Sequence, residues 1–431
     1  MLLRHCPPSL CFAAFVIWLL AVPMDGPLAG AAGLDSLISW FLPVHIVSLF
    51  TIGYFCPEKN LERATPIAVS LVVILTPLLP LFPTALPWLA VLLGLSGALV
   101  AIRACAGLQC AQNPVTSAAS GLISANLVLF LLMIRPTGSI SAFSLIAVPL
   151  LCLLLPVTIP ARLFTFESSR NLRQIWIFLP FILLFHVVGG LMYSVLYPAY
   201  LQTPLLPGLE LLFYIGSVAG SVRLVARRRE LSLVGGILLA MLAFALLQHP
   251  SLLGINFSMY AMQAGQGLVD LFLIAYLLTF QSTRRAFGFG LGTLCLGIFS
   301  GQLIGQYLQN FAGEVTFFGL ISLNLAALSL YIYRGRLQHT KPLDAPSNNQ
   351  NATLKGTPPT ATTRIPETIQ SQLSGREIMV LEHSLSGQTY REIAAQLNIS
   401  ESSVKTYMKR VYEKLDIHSR KGLFDLLMLK S

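Results

Sequence analysis

Runs of apolar residues long enough to cross a bilayer follow one another through the first 334 residues, and they restrict the fold more than any other feature. Backbone inside a bilayer must satisfy its own hydrogen bonds, so apolar runs of about 20 residues predict helices. The chain is 55% hydrophobic and 11% charged, with a mean hydropathy of +0.72. We therefore predict an all-α polytopic transmembrane helix bundle of about 12 spans. The predicted spans are residues 9–24, 34–55, 65–82, 84–103, 113–134, 138–159, 175–197, 207–226, 231–248, 254–280, 285–306 and 314–334.

The positions of lysine and arginine predict the orientation of this bundle. Of the sixteen Lys and Arg residues up to Arg336, fifteen fall on one side of the predicted membrane, and Arg135 falls on the other. The positive-inside rule then predicts a protein of the bacterial inner membrane with both termini in the cytoplasm. An alternative for the N-terminus is a cleavable signal peptide, since Arg4 precedes an apolar run and small residues follow it. Cleavage would leave eleven spans and the same side for the C-terminal tail.

A charged loop from Arg162 to Gln174 divides the predicted spans into two six-helix halves. This layout resembles the major facilitator superfamily in topology, which implies two halves flanking a central cavity. The superfamily's glycine- and arginine-rich signature after the second span is absent, and Cys56 to Arg63 stands in that place. In the second half, residues Gly216 to Arg229 weakly resemble that signature. The resemblance concerns fold and is weak support for transport activity.

Polar side chains inside the predicted spans are few, and each is a candidate for ligand sensing. Asp270 is the one acid that the spans place deep in the membrane, and His186 is a second ionisable group. Because such groups are costly at bilayer depth, they mark functional sites by default, although interhelical hydrogen bonding is the alternative. We expect a small organic molecule to bind between the halves. The predicted ligand-sensing residues are Asp270, His186, Gln263, Gln266 and His45; Asn126, Gln302 and Gln306 could also face the cavity.

The seven cysteines and the absence of catalytic motifs argue against enzyme chemistry. No even cysteine framework appears in the outward loops, so structural disulfides are not expected. Cys56, Cys105 and Cys110 fall near the predicted cytoplasmic face and could form a thiol cluster, but no histidine accompanies them. No nucleotide-binding, metalloprotease or nucleophile-elbow motif is present. We expect no catalytic residues, no bound metal and no cofactor.

A polar segment separates the bundle from the C-terminal tail and sets the predicted domain boundaries. Residues 338–372 are rich in Pro, Thr, Asn, Ala and Ser, which predicts a disordered linker. A flexible segment of about 35 residues has a root-mean-square span of about 30 Å. The predicted domains are a transmembrane sensor domain at 1–337, this linker at 338–372 and a DNA-binding domain at 373–431.

The capping residues of the tail predict where three helices begin. Ser374 and Glu377 form a capping box, and Thr389 and Glu392 repeat it. Ser400 caps a third helix of about four turns that ends near residue 415. On that helix Val404, Met408, Val411 and Leu415 recur at helical spacing and should face the core. The opposite face is suited to the major groove and carries the predicted DNA-binding residues Ser402, Lys405, Thr406, Tyr407, Lys409 and Arg410.

These boxes, the turn at Asn398–Ile399 and the basic third helix closely resemble the DNA-binding domain of LuxR-type transcriptional regulators. The resemblance implies a four-helix unit whose last helix pairs two copies, and Leu423, Leu426 and Leu427 stand at that helix. Tyr407 replaces the histidine that is usual in the family, which leaves phosphate contact possible. A helical module for protein interaction is the alternative reading of the tail.

From Glu367 onward the tail has nine basic and eight acidic residues, so its net charge is only about +1. One copy should bind DNA weakly, and we expect a homodimer through this domain on double-stranded DNA. The chain as a whole predicts a membrane-anchored one-component transcriptional regulator that senses a small molecule through its bundle. The alternative is a major-facilitator-like transporter with a regulatory DNA-binding tail.

Overall fold

The computed structural model describes residues 6–155, 172–227, 229–248, 251–308, 312–339, 373–385, 388–397 and 399–415. The chain divides into two compact units, Met1–Leu343 and Asp344–Ser431. Among the described residues each unit is helical, which confirms the predicted all-α class. The predicted linker starts two residues too early, because a helix continues to His339. The rest of that linker, and the predicted pairing helix with Leu423, Leu426 and Leu427, lie outside the described residues.

Twelve described helices account for the twelve predicted spans of the first unit. Eight segments are long and apolar enough to cross a membrane, and three further apolar helices are shorter. The helices are α1 Pro8–Ala21, α2 Leu37–Phe55, α3 Glu58–Leu75, α4 Leu86–Gly107, α5 Pro114–Ile134, α6 Ile140–Ala147, α7 Ile175–Leu191, α8 Leu209–Arg227, α9 Arg229–Leu247, α10 Leu252–Leu277, α11 Thr283–Leu308 and α12 Ala312–His339. Helix α10 is not among these eleven, and it carries the polar residues Gln263, Gln266 and Asp270.

Three spans differ from the predicted boundaries for local reasons. Helix α3 begins directly after Pro57, seven residues before the predicted start, because its first turns are charged and were excluded by hydropathy. Helix α6 stops at Ala147 and continues as the 3-10 helix Val148–Leu154, since Pro149 has no N–H to donate. Helix α7 is extended by a π-turn at Met192–Leu196 and a short helix to Gln202.

Glycines allow the helices of the bundle to approach closely. Gly190 on α7 and Gly301 on α11 face each other, and a Cβ on either would overlap the opposite backbone. Gly297 packs against the α7 backbone at Leu183, and Gly305 packs against the side chain of Ser194 in the π-turn that follows, so this stripe of small residues serves helix packing. Without a hydrophobic force between helices in lipid, such close van der Waals contact holds the bundle together.

Two polar side chains join the halves at the end of the bundle that carries the predicted cytoplasmic loops. The Arg284 guanidinium donates from Nη1 to the carbonyl oxygens of Ile52 and Gly53, at 2.8 Å each. These carbonyls belong to the last turn of α2, where the Ile52 oxygen also accepts from the Cys56 N–H at 3.2 Å. Gln109 Nε2 donates to the Leu278 carbonyl oxygen at 3.1 Å. The second half is therefore hydrogen-bonded to the first at this end.

The second unit has a small core of its own, built by three described helices. They are α13 Gly375–Leu385, α14 Tyr390–Leu397 and α15 Glu401–Lys414. Each presents one apolar face to a common centre, as their helical spacing predicts. The buried core residues are Leu373, Val380, Leu381, Ile393, Ala394, Val404, Met408 and Val411.

Candidate ligand cavity and candidate DNA interface

A cavity of about 300 Å³ lies between the two halves of the bundle. Its walls come from α1, α2, α4 and α5 in the first half and from α7, α8, α10 and α11 in the second. All five residues predicted to sense a ligand line it: Asp270, His186, Gln263, Gln266 and His45. Asn126 and Gln302 also line it, whereas Gln306 is exposed on the outside of α11 and does not. The structure therefore brings residues from distant spans into one chamber.

The polar centre of the cavity is a cluster of His186, Asp270 and Tyr214. His186 Nε2 lies 3.7 Å from Asp270 Oδ1, and the Tyr214 hydroxyl donates to Asp270 Oδ2 at 2.9 Å. His186 Nδ1 lies 2.7 Å from the carbonyl oxygen of Ile182, one turn earlier on α7. A carbonyl oxygen only accepts, so Nδ1 carries a hydrogen. The Nε2 atom is buried and has no hydrogen-bond partner.

Glu210 is a second acid at the cavity, which corrects the expectation that Asp270 stands alone. It is 1% exposed, and the Tyr200 hydroxyl donates to its Oε2 at 2.6 Å. The sequence places Glu210 in the first turn of a predicted span, where acids commonly face the headgroups and favour the helix N-terminus. Only the folding of Tyr200 over α8 buries it, and nothing local in the sequence signals that contact.

His45 lines the cavity but already has partners. Its Nδ1 lies 3.2 Å from the carbonyl oxygen of Gly94, and its ring stacks on Phe41 with centroids 4.9 Å apart. The contact with Gly94 joins α2 to α4 and agrees with the alternative of helix-to-helix bonding, whereas the stacking on Phe41 lies within α2. Gln263 is 6% exposed on α10, and Gln266 lies one turn closer to Asp270 on the same helix.

The cysteines gather at a different place from the one the sequence suggested. The Sγ atoms of Cys6, Cys11 and Cys152 all lie within 4.8 Å of one another. No such group forms at Cys56, Cys105 and Cys110 in the part of the chain that the structure describes. A shared position near the predicted cytoplasmic face did not indicate which thiols meet, because Cys152 comes from the end of the sixth span and meets α1 only in the folded bundle.

In the second unit, the predicted capping residues make the predicted hydrogen bonds. The Ser374 N–H donates to Glu377 Oε2 at 2.8 Å, and the Thr389 N–H donates to Glu392 Oε2 at 2.7 Å. Ser400 Oγ accepts from the Ser403 N–H at 3.1 Å at the start of α15. All three helix starts are therefore confirmed.

Helix α15 presents most of the predicted DNA-binding side chains to solvent. Ser402, Lys405, Thr406, Lys409 and Arg410 are exposed, whereas Tyr407 is half-buried against the core. Lys405 Nζ lies 2.8 Å from Glu401 Oε1, and Lys409 Nζ lies 3.6 Å from Glu413 Oε1. Such exposed pairs contribute about 0.3–0.5 kcal/mol each, so DNA phosphates can displace the glutamates.

An ion pair between the buried carboxylate of Glu377 and the exposed ammonium of Lys414 joins α15 to α13. Lys414 Nζ donates to Glu377 Oε2 at 2.7 Å, and the Glu377 side chain is 4% exposed. The hydrogen bond from Lys414, together with the Ser374 N–H, lowers the pKa of the Glu377 carboxyl to about 2. One carboxylate therefore caps α13 and holds the C-terminal end of the exposed helix in place.

Comparison with known proteins identifies the second unit first. Residues 371–427 match the family model of bacterial regulatory proteins of the luxR family. A protein of Pseudomonas aeruginosa described as "Putative transcriptional regulator" is 47% identical over 53 residues, which are 12% of this chain. The chain spans about a quarter (26%) of that curated relative. The C-terminal unit is a LuxR-type helix-turn-helix domain.

The first unit is similar to solved transporters in fold. The E. coli fucose:proton symporter FucP is 14% identical with a TM-score of 0.53, covering 76% of this chain and 98% of the symporter. The human organic anion transporter MFSD10 is 14% identical with a TM-score of 0.53, covering 76% and 96%. Identities this low indicate the fold alone. The chain thus joins a membrane bundle of the major facilitator fold to a LuxR-type DNA-binding domain.

Proposed function

We propose that the protein is a membrane-anchored one-component transcriptional regulator of the bacterial inner membrane. In this proposal the bundle senses a small molecule, and the C-terminal domain acts on DNA from the cytoplasmic side. The observation that carries it is the presence, in one chain, of a cavity with a buried polar cluster and a helix-turn-helix with an exposed basic face. The positive-inside distribution of Lys and Arg supports cytoplasmic termini.

We propose that the two halves of the bundle have two arrangements and that a ligand binds one of them more tightly. Arg284 and Gln109 hold the halves together at one end through four backbone carbonyls, and these hydrogen bonds can exist in only one arrangement of the halves. A ligand shifts such an equilibrium only by its differential affinity for the two states. We propose that the shift changes how two tails pair on DNA, since one domain of low net charge binds weakly.

Genome-wide occupancy of the full-length protein in its native cells tests the regulator directly. The variant pair Lys405→Ala and Lys409→Ala removes exposed charge from α15 without touching the core. Arg376→Ala is the matched control, because it removes an exposed charge from α13. We expect discrete peaks in the wild type and control that disappear in the double variant. Uniform or absent enrichment in all three proteins would contradict the proposal.

A second candidate is a transporter whose tail regulates transcription as well. The match of the bundle to nearly the whole length of a symporter structure supports this candidate. Uptake assays with the double variant separate the two: substrate uptake that survives loss of DNA occupancy favours a transporter with a regulatory tail. Ligand binding without uptake into reconstituted vesicles favours a sensor that has kept the fold only.

A further inference from the structure

We propose that the cavity binds a small organic cation, with a protonated primary or secondary amine held between His186 and Asp270. This inference rests on the proposed function for its biological meaning, but the binding chemistry is independent of transcription. The polar cluster, the charge of the walls and the aromatic lining each point to the same ligand class.

The cavity wall carries three carboxylic acids against two histidines. Asp270 and Glu210 line it, and Asp25 lies at the loop that follows α1. No lysine or arginine is among its lining residues in the described part of the chain. Because a carboxylate away from water is costly unless a positive group accompanies it, this wall favours a cation and opposes an organic anion.

The His186–Asp270 pair lacks a hydrogen-bond donor between its facing atoms. With Nδ1 donating to Ile182, neutral His186 offers only a lone pair at Nε2, and Asp270 Oδ1 is an acceptor 3.7 Å away. Tyr214 satisfies Oδ2, the other carboxylate oxygen. An ammonium group has several donors and no acceptor, so it can satisfy both facing atoms. A ligand nitrogen can lie about 2.9 Å from both His186 Nε2 and Asp270 Oδ1, which is a normal hydrogen-bond distance.

The remaining lining describes the rest of the ligand. Phe12, Phe15, Tyr193 and Tyr197 supply aromatic surface to the cavity, and aromatic rings are a common partner of organic cations. A volume of about 300 Å³ stands at the small end of ligand pockets. The ligand is therefore a compact amine with one apolar or aromatic group, rather than a large drug-like molecule.

Binding to the full-length protein in lipid nanodiscs tests this inference with matched probes. The probes are primary amines from butylamine to 2-phenylethylamine, each paired with the alcohol of the same skeleton, and phenylacetate as the anion. Titration calorimetry should show at least one amine binding about tenfold or more tightly than its alcohol, because a charged hydrogen bond replaces a neutral one. Phenylacetate should not bind.

Two variants locate the effect. Asp270→Asn keeps the side-chain shape and should abolish the preference for amine over alcohol while leaving the alcohol's affinity unchanged. Asp35→Asn is the matched control, because it removes an exposed carboxylate outside the cavity. An equal affinity for amine and alcohol throughout the series, or a preference that survives Asp270→Asn, would overturn the inference. Amine binding without any DNA-occupancy response would refute the proposed function and leave this inference standing.

A separate observation carries a second inference, about the thiols of Cys6, Cys11 and Cys152. We infer that these three side chains form a site for a soft, thiol-binding metal ion such as Cu(I) or Hg(II). Three sulfurs at about 2.3 Å from one ion in a trigonal plane stand about 4 Å apart, which fits the observed limit of 4.8 Å. No His, Asp or Glu belongs to this group, so harder ions lack their preferred ligands.

Cys11 and Cys6 are buried, and Cys152 is half-buried. Each thiol that binds the ion releases its proton. Titration of the reduced full-length protein with Hg(II), followed by sulfur-to-metal charge-transfer absorbance, should show one ion bound before the other cysteines react. Cys11→Ser should remove that first step, and Cys295→Ser should leave it intact. A first step that survives Cys11→Ser would overturn the inference.

Discussion

The bundle and the C-terminal domain use their few charged residues in opposite ways. In the domain, Lys405, Lys409 and Arg410 stand on an exposed helix face, where charge is inexpensive and free to meet a partner. In the bundle, Asp270 and Glu210 are enclosed in a cavity, where a charge persists only with specific neighbours. The comparison teaches that the same residue types serve external recognition in one unit and internal recognition in the other.

The substitution with the largest expected effect disrupts the bundle and leaves the C-terminal domain intact. Gly301→Leu would drive a side chain into the backbone of α7, so the bundle should fail to assemble or lose most of its stability. The C-terminal domain has its own core and should keep its fold and its DNA binding. Detergent-stable yield together with DNA-binding activity measures both. Equal loss of both activities would show that the units depend on each other.

The next effect concerns recognition on the exposed face. Lys405→Ala with Lys409→Ala should weaken DNA binding by about 10–100-fold and lower the salt slope by about two, because two phosphate contacts are lost. Fluorescence anisotropy at several salt concentrations measures both quantities. Helix content in circular dichroism should not change, since both side chains are exposed. An unchanged salt slope would place the DNA contact on another face.

A smaller effect tests the buried carboxylate of Glu377 in the domain. Glu377→Gln should reduce the free energy of unfolding by about 2 kcal/mol, through loss of charged hydrogen bonds to Lys414 and to the Ser374 N–H. Since folding lowers the pKa of Glu377 to about 2, its stabilisation is complete above about pH 4.5 and is lost as the pH falls towards 2. Urea denaturation of residues 344–431 between pH 7 and 3 measures this. The variant should show a flatter pH dependence than the wild type.

The smallest effect belongs to a single helix cap. Ser400→Ala should cost about 1 kcal/mol of domain stability, because the Ser403 N–H loses its acceptor at the start of α15. Ser400→Asp, which keeps an acceptor, should restore most of that loss. Urea midpoints of the three proteins measure the difference. A loss that Ser400→Asp does not recover would assign another role to the hydroxyl.

What the sequence predicted well is what depends on residues close together in the chain. The boxes at Ser374 and Thr389 predict their helix starts because each hydrogen bond spans three residues. Asp270 stands out in the sequence as well, because hydropathy makes a lone acid conspicuous. His186 stands out as a second ionisable group, but Tyr214 does not, and only assembly of the second half brings these residues of α7 and α8 to Asp270.

The misses have the same origin. The burial of Glu210 depends on Tyr200, and the cysteine group depends on contact between α1 and the sixth span. Tyr407 has a polar tip and an apolar ring, and spacing alone could not decide that the ring would pack partly against the core. Local chemistry is therefore readable from this chain, whereas the composition of its cavity required the folded bundle.

The length of α12 gives the last membrane helix a mechanical role. Its 28 residues extend for about 42 Å, whereas the hydrocarbon layer is about 30 Å thick. About 12 Å of rigid helix, with Arg334 and Arg336 on it, is therefore surplus to crossing. A small tilt of α12 within the bundle would displace that projecting end sideways. The predicted linker to the DNA-binding domain therefore starts from a point that moves with α12.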